Sequence, residues 1–482
     1  MAKVLQIDPD RILSAHPRAK ELLRRLEDAG YRAVIVGGAV RDLLRGLYHE
    51  DFAFKPEDVD IDIATSAGPD EIKQIFTDYD FVEVGKSFGV LVLVSPEGEE
   101  YEVAQFRTES EYDGRKPGEV EPANSLLEDV KRRDFTVNGM ALGLDGRVID
   151  HVGGLQDLKE KKVTAIGNPL ERFKEDYLRP LRAIRITCDL NGRLDPDTEK
   201  AIERVATRIT DISWERIREE IFNILATPNS EEGMRMLKEK GILVEILPEM
   251  ASNEGVPQPE EYHPEGDVLE HSFRALGVGD RFGFRPIIKL AIFLHDVGKA
   301  AAFERNDGEH LGGHAQKSER LTRKIASRLR LSNEEENKLA WLAKNHMRGS
   351  ILPDMRKAKQ VQLVRYNQDE TCSLGEVSDR FEYFTDLLRV IMADSEASAH
   401  EVEGWLPVLE RFTSLLPHLK ALEELGSARK LINGDDLLEL GMEEGPELGE
   451  VLDEIHENIY SGEVQDREEA IELAERLIKN SS

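Results

Sequence analysis

The amino-acid sequence predicts an α+β protein, with a mixed-sheet head over residues 1–150 followed by an all-helical body. Short β-branched runs punctuated by glycine or proline turns occupy the first third of the chain. From Gly153-Gly154 onward, apolar residues recur at three- and four-residue spacing. The 482 residues, at about 100–200 per domain, make three or four folded units.

Ile12 to Ala29 has helical periodicity. Tyr31 to Val36 is a β-branched run ending in Gly37-Gly38, and Val40 to Leu44 resumes as helix, which gives strand, glycine turn, helix. Val59 to Ile63 alternates Asp with Val or Ile and reads as a strand. Val90 to Val94 is continuously apolar before the Pro96-Glu97-Gly98 turn, and Tyr101 to Phe106 pairs with it as a hairpin. Beyond Gly154 the runs Leu178 to Ile186, Ile217 to Leu225 and Met234 to Leu247 all read as helix. Asn253 to Pro264 and Asn433-Gly434-Asp435 read as loop punctuation. The expected divisions are residues 1–150, 151–250, 251–405 and 406–482, and no solenoid repeat is visible.

With 40% hydrophobic residues spread along the chain, wholesale disorder is excluded. The most apolar segment, Ile287 to Leu294, contains Lys289 and falls far short of the ~20 residues a bilayer requires. Met1 to Pro9 has no secretory core, and Cys188 and Cys372 stand 184 residues apart without metal-ligand or disulfide spacing. A reducing cytoplasm is expected. The net charge of −31 is uneven: residues 401–482 hold 21 acidic and 7 basic side chains, whereas residues 131–185 hold 12 basic and 8 acidic. A locally basic segment can bind a polyanion while the acidic remainder limits non-specific adhesion.

Asp60-Ile61-Asp62 places two carboxylates at i and i+2, projecting from one face of a strand. Their repulsion is relieved by a divalent cation, and oxygen-only ligation suits Mg²⁺, which commonly bridges substrate phosphates. Glu102 is placed to supply a third carboxylate. Gly37-Gly38 lets backbone N–H groups approach phosphate at a helix start, with Arg41 one turn further in.

The segments Val36-Gly37-Gly38-Ala39-Val40-Arg41-Asp42, Asp60-Ile61-Asp62-Ile63-Ala64-Thr65, Arg132-Arg133-Asp134-Phe135-Thr136-Val137-Asn138 and Glu175-Asp176-Tyr177-Leu178-Arg179 occur in one order within residues 36–185. In that order they resemble the bacterial class II tRNA nucleotidyltransferases, the CCA-adding and poly(A) polymerase family. The resemblance implies a polymerase-β-like nucleotidyltransferase head that extends an RNA 3′ end without a nucleic-acid template. Asp60 and Asp62 would hold two Mg²⁺ ions with Glu102 as a third acid, in the manner of two-metal phosphoryl transfer. Gly37, Gly38 and Arg41 would cradle the triphosphate, and Arg133, Asp134 and Asn138 would contact sugar and phosphates.

Asp176 and Arg179, three apart, are expected on one helix face with Glu175 four before Arg179. A carboxylate and a guanidinium together offer the acceptors and donors that hydrogen-bond the Watson–Crick edges of C and A while rejecting G and U. Arg182 and Arg185 continue that stripe. Within the family, CC-only members lack a flexible loop where this chain has Glu111 to Gly118, and poly(A) polymerases carry a basic tail where this chain ends acidic. Full CCA addition to tRNA from CTP and ATP is therefore expected; A-only addition and poly(A) synthesis are the alternatives. A different class of reading is an HD phosphohydrolase whose head only binds RNA.

His271, His295-Asp296, His314, His346 and Asp394 form a second ligand-rich group in helical sequence. Imidazole and carboxylate together suit Mn²⁺, Fe²⁺, Ni²⁺ or Zn²⁺, with Asp296 able to bridge two ions. With His295-Asp296-Val297-Gly298-Lys299, the group resembles the HD phosphohydrolase superfamily, and His314 and His346 resemble its two-metal members. In related nucleotidyltransferases such a domain carries phosphodiesterase and phosphatase activity, which would trim cyclic or phosphorylated RNA ends. Lys299 reads as a helix-terminal lysine rather than a phosphate contact. Leu431 to Leu437 and Gly441 to Gly449 resemble the family's C-terminal helical module, assigned to docking the tRNA body.

Overall fold

The computed structural model describes the chain except residues 1–2, 84–89, 114–115, 124, 260–262, 265, 369–375, 399–403, 426–430 and 482. Cys372 and the tip of the Glu111–Gly118 segment, Gly114 and Arg115, lie outside the described residues. The chain forms two compact units, Met1–Ile246 and Leu247–Ser482.

Among the described residues, the part of the first unit before Gly154 is built on ten strands: β1 (Lys3–Gln6), β2 (Ala33–Val36), β3 (Asp62–Thr65), β4 (Asp80–Glu83), β5 (Val90–Val94), β6 (Glu100–Gln105), β7 (Arg107–Asp113), β8 (Lys116–Pro122), β9 (Met140–Gly143) and β10 (Arg147–Asp150). Eight of them make one mixed sheet in the order β1-β10-β9-β2-β3-β6-β5-β4, and β7 and β8 pair apart as a hairpin. β2 is buried on both faces, with every residue at most 3% exposed, as its unbroken Ala-Val-Ile-Val run requires. β3 pairs antiparallel with β2 and parallel with β6, so Asp62 stands opposite Val36 on one side and Glu102 on the other. Val34, Val36, Ala64, Phe106, Leu126, Val130 and Ala141 pack into one core cluster on this central strand group.

The structure departs from the sequence expectations at several boundaries. The helix expected over Ile12–Ala29 is two, Asp10–Leu13 and Pro17–Asp28. Pro17 lacks the N–H that would continue the first helix, and it sits at the start of the second, where none is needed. The strand expected over Val59–Ile63 begins only at Asp62, so Asp60 lies in its lead-in. The region after Gly154 is not wholly helical: Lys162–Val163 and Arg193–Leu194 pair as a short parallel ladder. Asn433 is not a loop residue but the N-cap of helix Gly434–Glu439, in a capping box with Asp436.

The second unit is helical throughout its regular structure. Five helices frame its interior: Val268–Arg281, Pro286–Leu294, His314–Arg328, Asn333–Ser350 and Glu382–Ala397. Pro286–Leu294 is apolar almost all round, apart from Lys289, and buried from Ile288 onward; the buried Lys289 ammonium is neutralised by Asp280 at 2.6 Å. The helix carrying His314 is tied down at its far end by Glu249, which receives Arg328 (Nη1 at 2.9 Å, and Nη2) and Lys324 (3.1 Å). Among the described residues no helix is long and apolar enough to cross a membrane.

Candidate functional site

In the first unit the site grows out of the end of β2. Gly37, at φ 78°, turns the chain directly into helix Gly38–Tyr48, a conformation that disfavours side chains. A Cβ at Gly37 would stand 3.2 Å from Asp62 Oδ2, so the glycine also leaves space for that carboxylate. Exposure alternates along the lead-in and strand: Asp60 and Asp62 are exposed, Ile61 and Ile63 buried. The two acids therefore share a face although only one lies in the ladder. Solvent reaches Asp62, yet crowding by the protein is the largest cause that pushes its carboxyl up to about 6; Glu102 and Asp60 push the same way and Arg133 opposes them. Three carboxylates without a nitrogen or sulfur donor fit a hard divalent cation. Asp60, Asp62 and Glu102 do not bring three ligand atoms within 4.8 Å of one another, unlike the histidine groups described below.

The basic residues around these acids are already engaged. Arg41 is 8% exposed and donates to Asp42 (2.8 and 3.1 Å), Asn138 Oδ1 (3.1 Å) and Asp189 (3.4 Å). Burial works against its charge, but Asp42 and Asp189 outweigh it and raise its pKa. Arg133 donates twice to the buried Asp129, at 3.2 and 3.1 Å. Asp134 accepts from the Phe135 amide at 2.8 Å and faces Arg182 Nη1 at 3.5 Å.

Asp176 and Arg179 do not share a helix. Pro169–Glu175 ends at Asp176, which is extended (φ −148°, ψ 109°), and the next helix starts at Arg179. Asp176 Oδ1 accepts the Leu178 amide at 3.0 Å, which satisfies a donor that the break leaves unpaired. Its charge partner is Arg216 (Nη1 at 3.3 Å, Nη2 at 2.9 Å). Arg179 instead donates to Glu175 at 2.5 Å and to the Arg172 carbonyl at 2.7 Å. Arg182 and Arg185 do lie on one helix, and both donate to Glu220, at 3.3 and 2.8 Å.

In the second unit the six histidine and aspartate residues converge. Asp296 is at the centre: His295 Nε2 lies 3.1 Å from Oδ2, and His314 and His346 Nε2 lie 3.3 and 3.4 Å from Oδ1. Asp394 Oδ1 is 3.0 Å from His271 Nε2 and 3.6 Å from His295 Nε2. Three of the rings are aimed by main-chain acceptors: Nδ1 of His295, His314 and His346 faces the carbonyls of Ile292 (2.6 Å), Leu311 (3.1 Å) and Ala343 (2.7 Å). With Nδ1 donating to its carbonyl, each ring turns Nε2 toward Asp296, where loss of the Nε2 proton would free a lone pair for a metal.

Electrostatics and orphaned atoms both fit metal. Burial disfavours the His295 cation, but Asp296 and Asp394 override it and raise its pKa to about 10. Asp296 is held well below the usual carboxylate range by His295 and Lys299 against the opposing effect of burial. His295 Nε2 and Asp296 Oδ1 are buried and make no well-directed hydrogen bond. Two groups, His271-His295-Asp296 and Asp296-His314-His346, each bring their ligand atoms within 4.8 Å of one another, with Asp296 common to both. They open on a cavity of about 430 Å³.

Sequence reasoning missed several neighbours of these groups. Lys299 is no mere helix-terminal lysine: it is 7% exposed, contacts Asp296 at 2.6 Å and Gln258 at 2.6 Å, and lines the cavity. Its i+3 spacing from Asp296 was the available signal. His263 also lines the cavity, its ring 4.9 Å from that of His271. Asp189, Arg216 and Glu220 carried no local signal as partners, because their contacts with Arg41, Asp176, Arg182 and Arg185 are made by the tertiary fold; Asp129, three and four residues before Arg132 and Arg133, did carry one in its spacing.

Comparison with known proteins follows the same division. The family model for the poly A polymerase head domain matches residues 33–164, that for the probable RNA and SrmB-binding site of polymerase A matches 193–254, and the HD domain model matches 268–380. The CCA-adding enzyme of Lactobacillus gasseri is 43% identical over 229 residues, 47% of this chain and 54% of that protein, so the chain spans about half the length of this curated relative. The CCA-adding enzyme of Streptococcus pneumoniae serotype 19F is 32% identical over 465 residues, 95% of this chain and 96% of that one. The crystal structure of the Bacillus stearothermophilus CCA-adding enzyme in complex with CTP superposes with a TM-score of 0.66 at 26% identity, covering 98% and 99% of the two chains. With one such relative aligned almost end to end, the chain belongs to the CCA-adding enzyme family.

Proposed function

We propose that this protein adds CCA to the 3′ end of tRNA from CTP and ATP, without a nucleic-acid template. The observation that carries the reading is the placement of Asp62 between Gly37 and Glu102 at the mouth of a glycine-opened helix. The names of the aligned relatives, and the CTP bound to the similar B. stearothermophilus enzyme, support it. In the reaction the RNA 3′-oxygen forms a bond to the α-phosphorus, the α–β phosphoanhydride bond breaks, pyrophosphate leaves and the hydroxyl proton passes to solvent. Asp60 and Asp62, with Glu102, are the residues that would hold Mg²⁺, which when bound supplies charge neutralisation at the phosphates. Gly37 and Gly38 offer backbone N–H groups to the triphosphate, and Arg133, Asp134 and Asn138 face the sugar side. Asp176 and Arg179 select the base, with Arg182 and Arg185 behind them.

The histidine centre is read as a phosphoesterase acting on RNA ends, with a transition metal such as Mn²⁺, Fe²⁺, Ni²⁺ or Zn²⁺ held by its six ligands. The domain division is read as head, neck, HD and acidic C-terminal helices at 150, 250 and 405, and the setting as cytoplasmic, where tRNA is matured. The test is incubation with tRNA ending in the discriminator base, in CC or in CCA, with each labelled NTP in turn. Ordered CTP then ATP incorporation is expected. ATP incorporation only onto tRNA ending in CC would convert the reading to A-only addition, and untemplated A-tails on generic RNA to a poly(A) polymerase.

A further inference from the structure

The histidine centre accounts for the phosphoryl end of an ester but not for the group that the ester carries. Three of its six ligands have an apolar neighbour in the chain that also lines the cavity. Leu311 lies three residues before His314, Met347 directly after His346, and Ile391 three before Asp394. Ile391 is buried and Leu311 half-buried, whereas Met347 is 50% exposed although His346 beside it is 1% exposed. The Met347 thioether therefore stands open at the cavity wall. Two hydroxyls of the same cavity, those of Ser350 and Ser398, already donate to main-chain carbonyls one turn back, to His346 at 2.9 Å and to Asp394 at 3.2 Å. A phosphate calls for cations and N–H or O–H donors and has no use for an apolar wall.

We propose that Met347, together with Ile391 and Leu311, seats the base of a nucleoside phosphate whose phosphoryl group lies at the histidine centre. The inference rests on the phosphoesterase reading of that centre and adds what selects its substrate. Methionine is unbranched and its sulfur polarizable, so it adapts to the face of an aromatic ring, a surface that every base offers. The cavity of about 430 Å³ is of the size that small-molecule ligands occupy. Esters that carry a base are accordingly preferred over esters that do not. The terminal nucleotide of an RNA and a free nucleotide share this chemistry.

The experiment compares adenosine 2′-monophosphate with glycerol 2-phosphate, two monoesters of secondary alcohols of which only the first carries a base. In each, water adds to phosphorus, the ester P–O bond breaks and the alcohol leaves with a proton. Values of kcat and KM are measured on the full chain loaded in turn with Mn²⁺, Ni²⁺ and Zn²⁺, for wild type, Met347→Ala and Met347→Leu, with melting temperatures and metal content alongside. Wild type is expected to prefer the nucleotide, and Met347→Ala to lower that preference about three- to tenfold through KM. Met347→Leu, which keeps the apolar bulk, retains most of it. A readout independent of turnover is the ¹³C-methyl resonance of Met347 in the metal-free protein, assigned by its absence from Met347→Ala. Adenosine 2′-monophosphate is expected to shift it upfield through the ring current of the base, and glycerol 2-phosphate to leave it in place. An unchanged preference in Met347→Ala, or a methyl resonance that the nucleotide leaves unmoved, overturns the proposal. The two sources are separated by kcat/KM on an RNA ending in a 2′,3′-cyclic phosphate and on free 2′,3′-cAMP, the better substrate identifying the source. A loaded wild-type protein that hydrolyses none of these esters overturns the phosphoesterase reading, and the methyl shift then decides separately whether the cavity seats a base.

Discussion

The two candidate metal sites are built on opposite plans. At the end of β3 the acids Asp60 and Asp62 face solvent, and with Glu102 they stay too far apart to converge on one point. In the second unit His271, His295, Asp296 and His346 are each at most 1% exposed, and two ligand groups already stand within 4.8 Å. Glu102 and Asp60 both push the Asp62 carboxyl up, a repulsion that a bound divalent cation would relieve. The second sets histidine rings against its acids, so Asp296 and Asp394 are countered before any ligand arrives. On the proposed function, the head acids would share their ions with each incoming triphosphate, whereas the histidine centre would keep its own.

The largest test of this contrast is Asp62→Asn. Transfer onto tRNA is expected to fall by about 10³-fold or more, while 2′,3′-cAMP hydrolysis and bound-metal content stay at wild-type levels. Equal loss of both activities would erase the distinction between the sites. Asp296→Ala should do the reverse, abolishing 2′,3′-cAMP hydrolysis and the bound metal measured by elemental analysis while CCA addition persists. In the metal-free protein it also leaves the buried Lys299 with Gln258 but no counter-charge, a loss of about 3–5 kcal/mol in urea unfolding of the second unit.

Glu249→Gln asks whether the closed site depends on its frame, since it releases the helix that carries His314. Burial disfavours the Glu249 charge, but Arg328 and Lys324 outweigh it and hold the pKa below the ordinary 4.5. A depressed carboxylate contributes stability that is present above its unfolded pKa and lost as pH falls through the lower folded one. Wild-type and Glu249→Gln are thus expected to differ by about 1–3 kcal/mol at pH 7 and to converge as pH falls well below 4.5. A difference that persisted at low pH would assign the effect to packing instead. The smallest expected effect is at Gly37→Ala: φ 78° and the 3.2 Å approach to Asp62 predict about 1–2 kcal/mol of destabilisation by thermal melting, with a raised KM for nucleotide.

Much of this was legible in the sequence because it is local. Gly37-Gly38 marks a strand-to-helix bend, Val90–Val94 and the following strand form the expected hairpin, and His295-Asp296 follows a segment too apolar to lie at the surface. The break between Asp176 and Arg179 was not legible: Glu175 to Arg185 carries a continuous helical stripe, and only Pro180, early in the second helix, hints at interruption. Arg216 and Glu220 escaped because ion-pair partners 35 to 40 residues apart leave no period in a sequence. Lys299 was misjudged for a related reason, since a lysine at a helix start looks solvated until the fold puts a buried carboxylate beside it.

Three histidine rings of the second unit hang from carbonyls three residues earlier in the chain, at Ile292, Leu311 and Ala343. Their orientations are thus written into main chain that no ordinary side-chain replacement can edit. Neighbouring residues are free to drift, altering which ester fits or which ion is preferred, without turning a ring away from the centre. A deletion or insertion between a ring and its carbonyl would rotate it out of place, so the positions most vulnerable to change are the short spacers rather than the walls of the cavity.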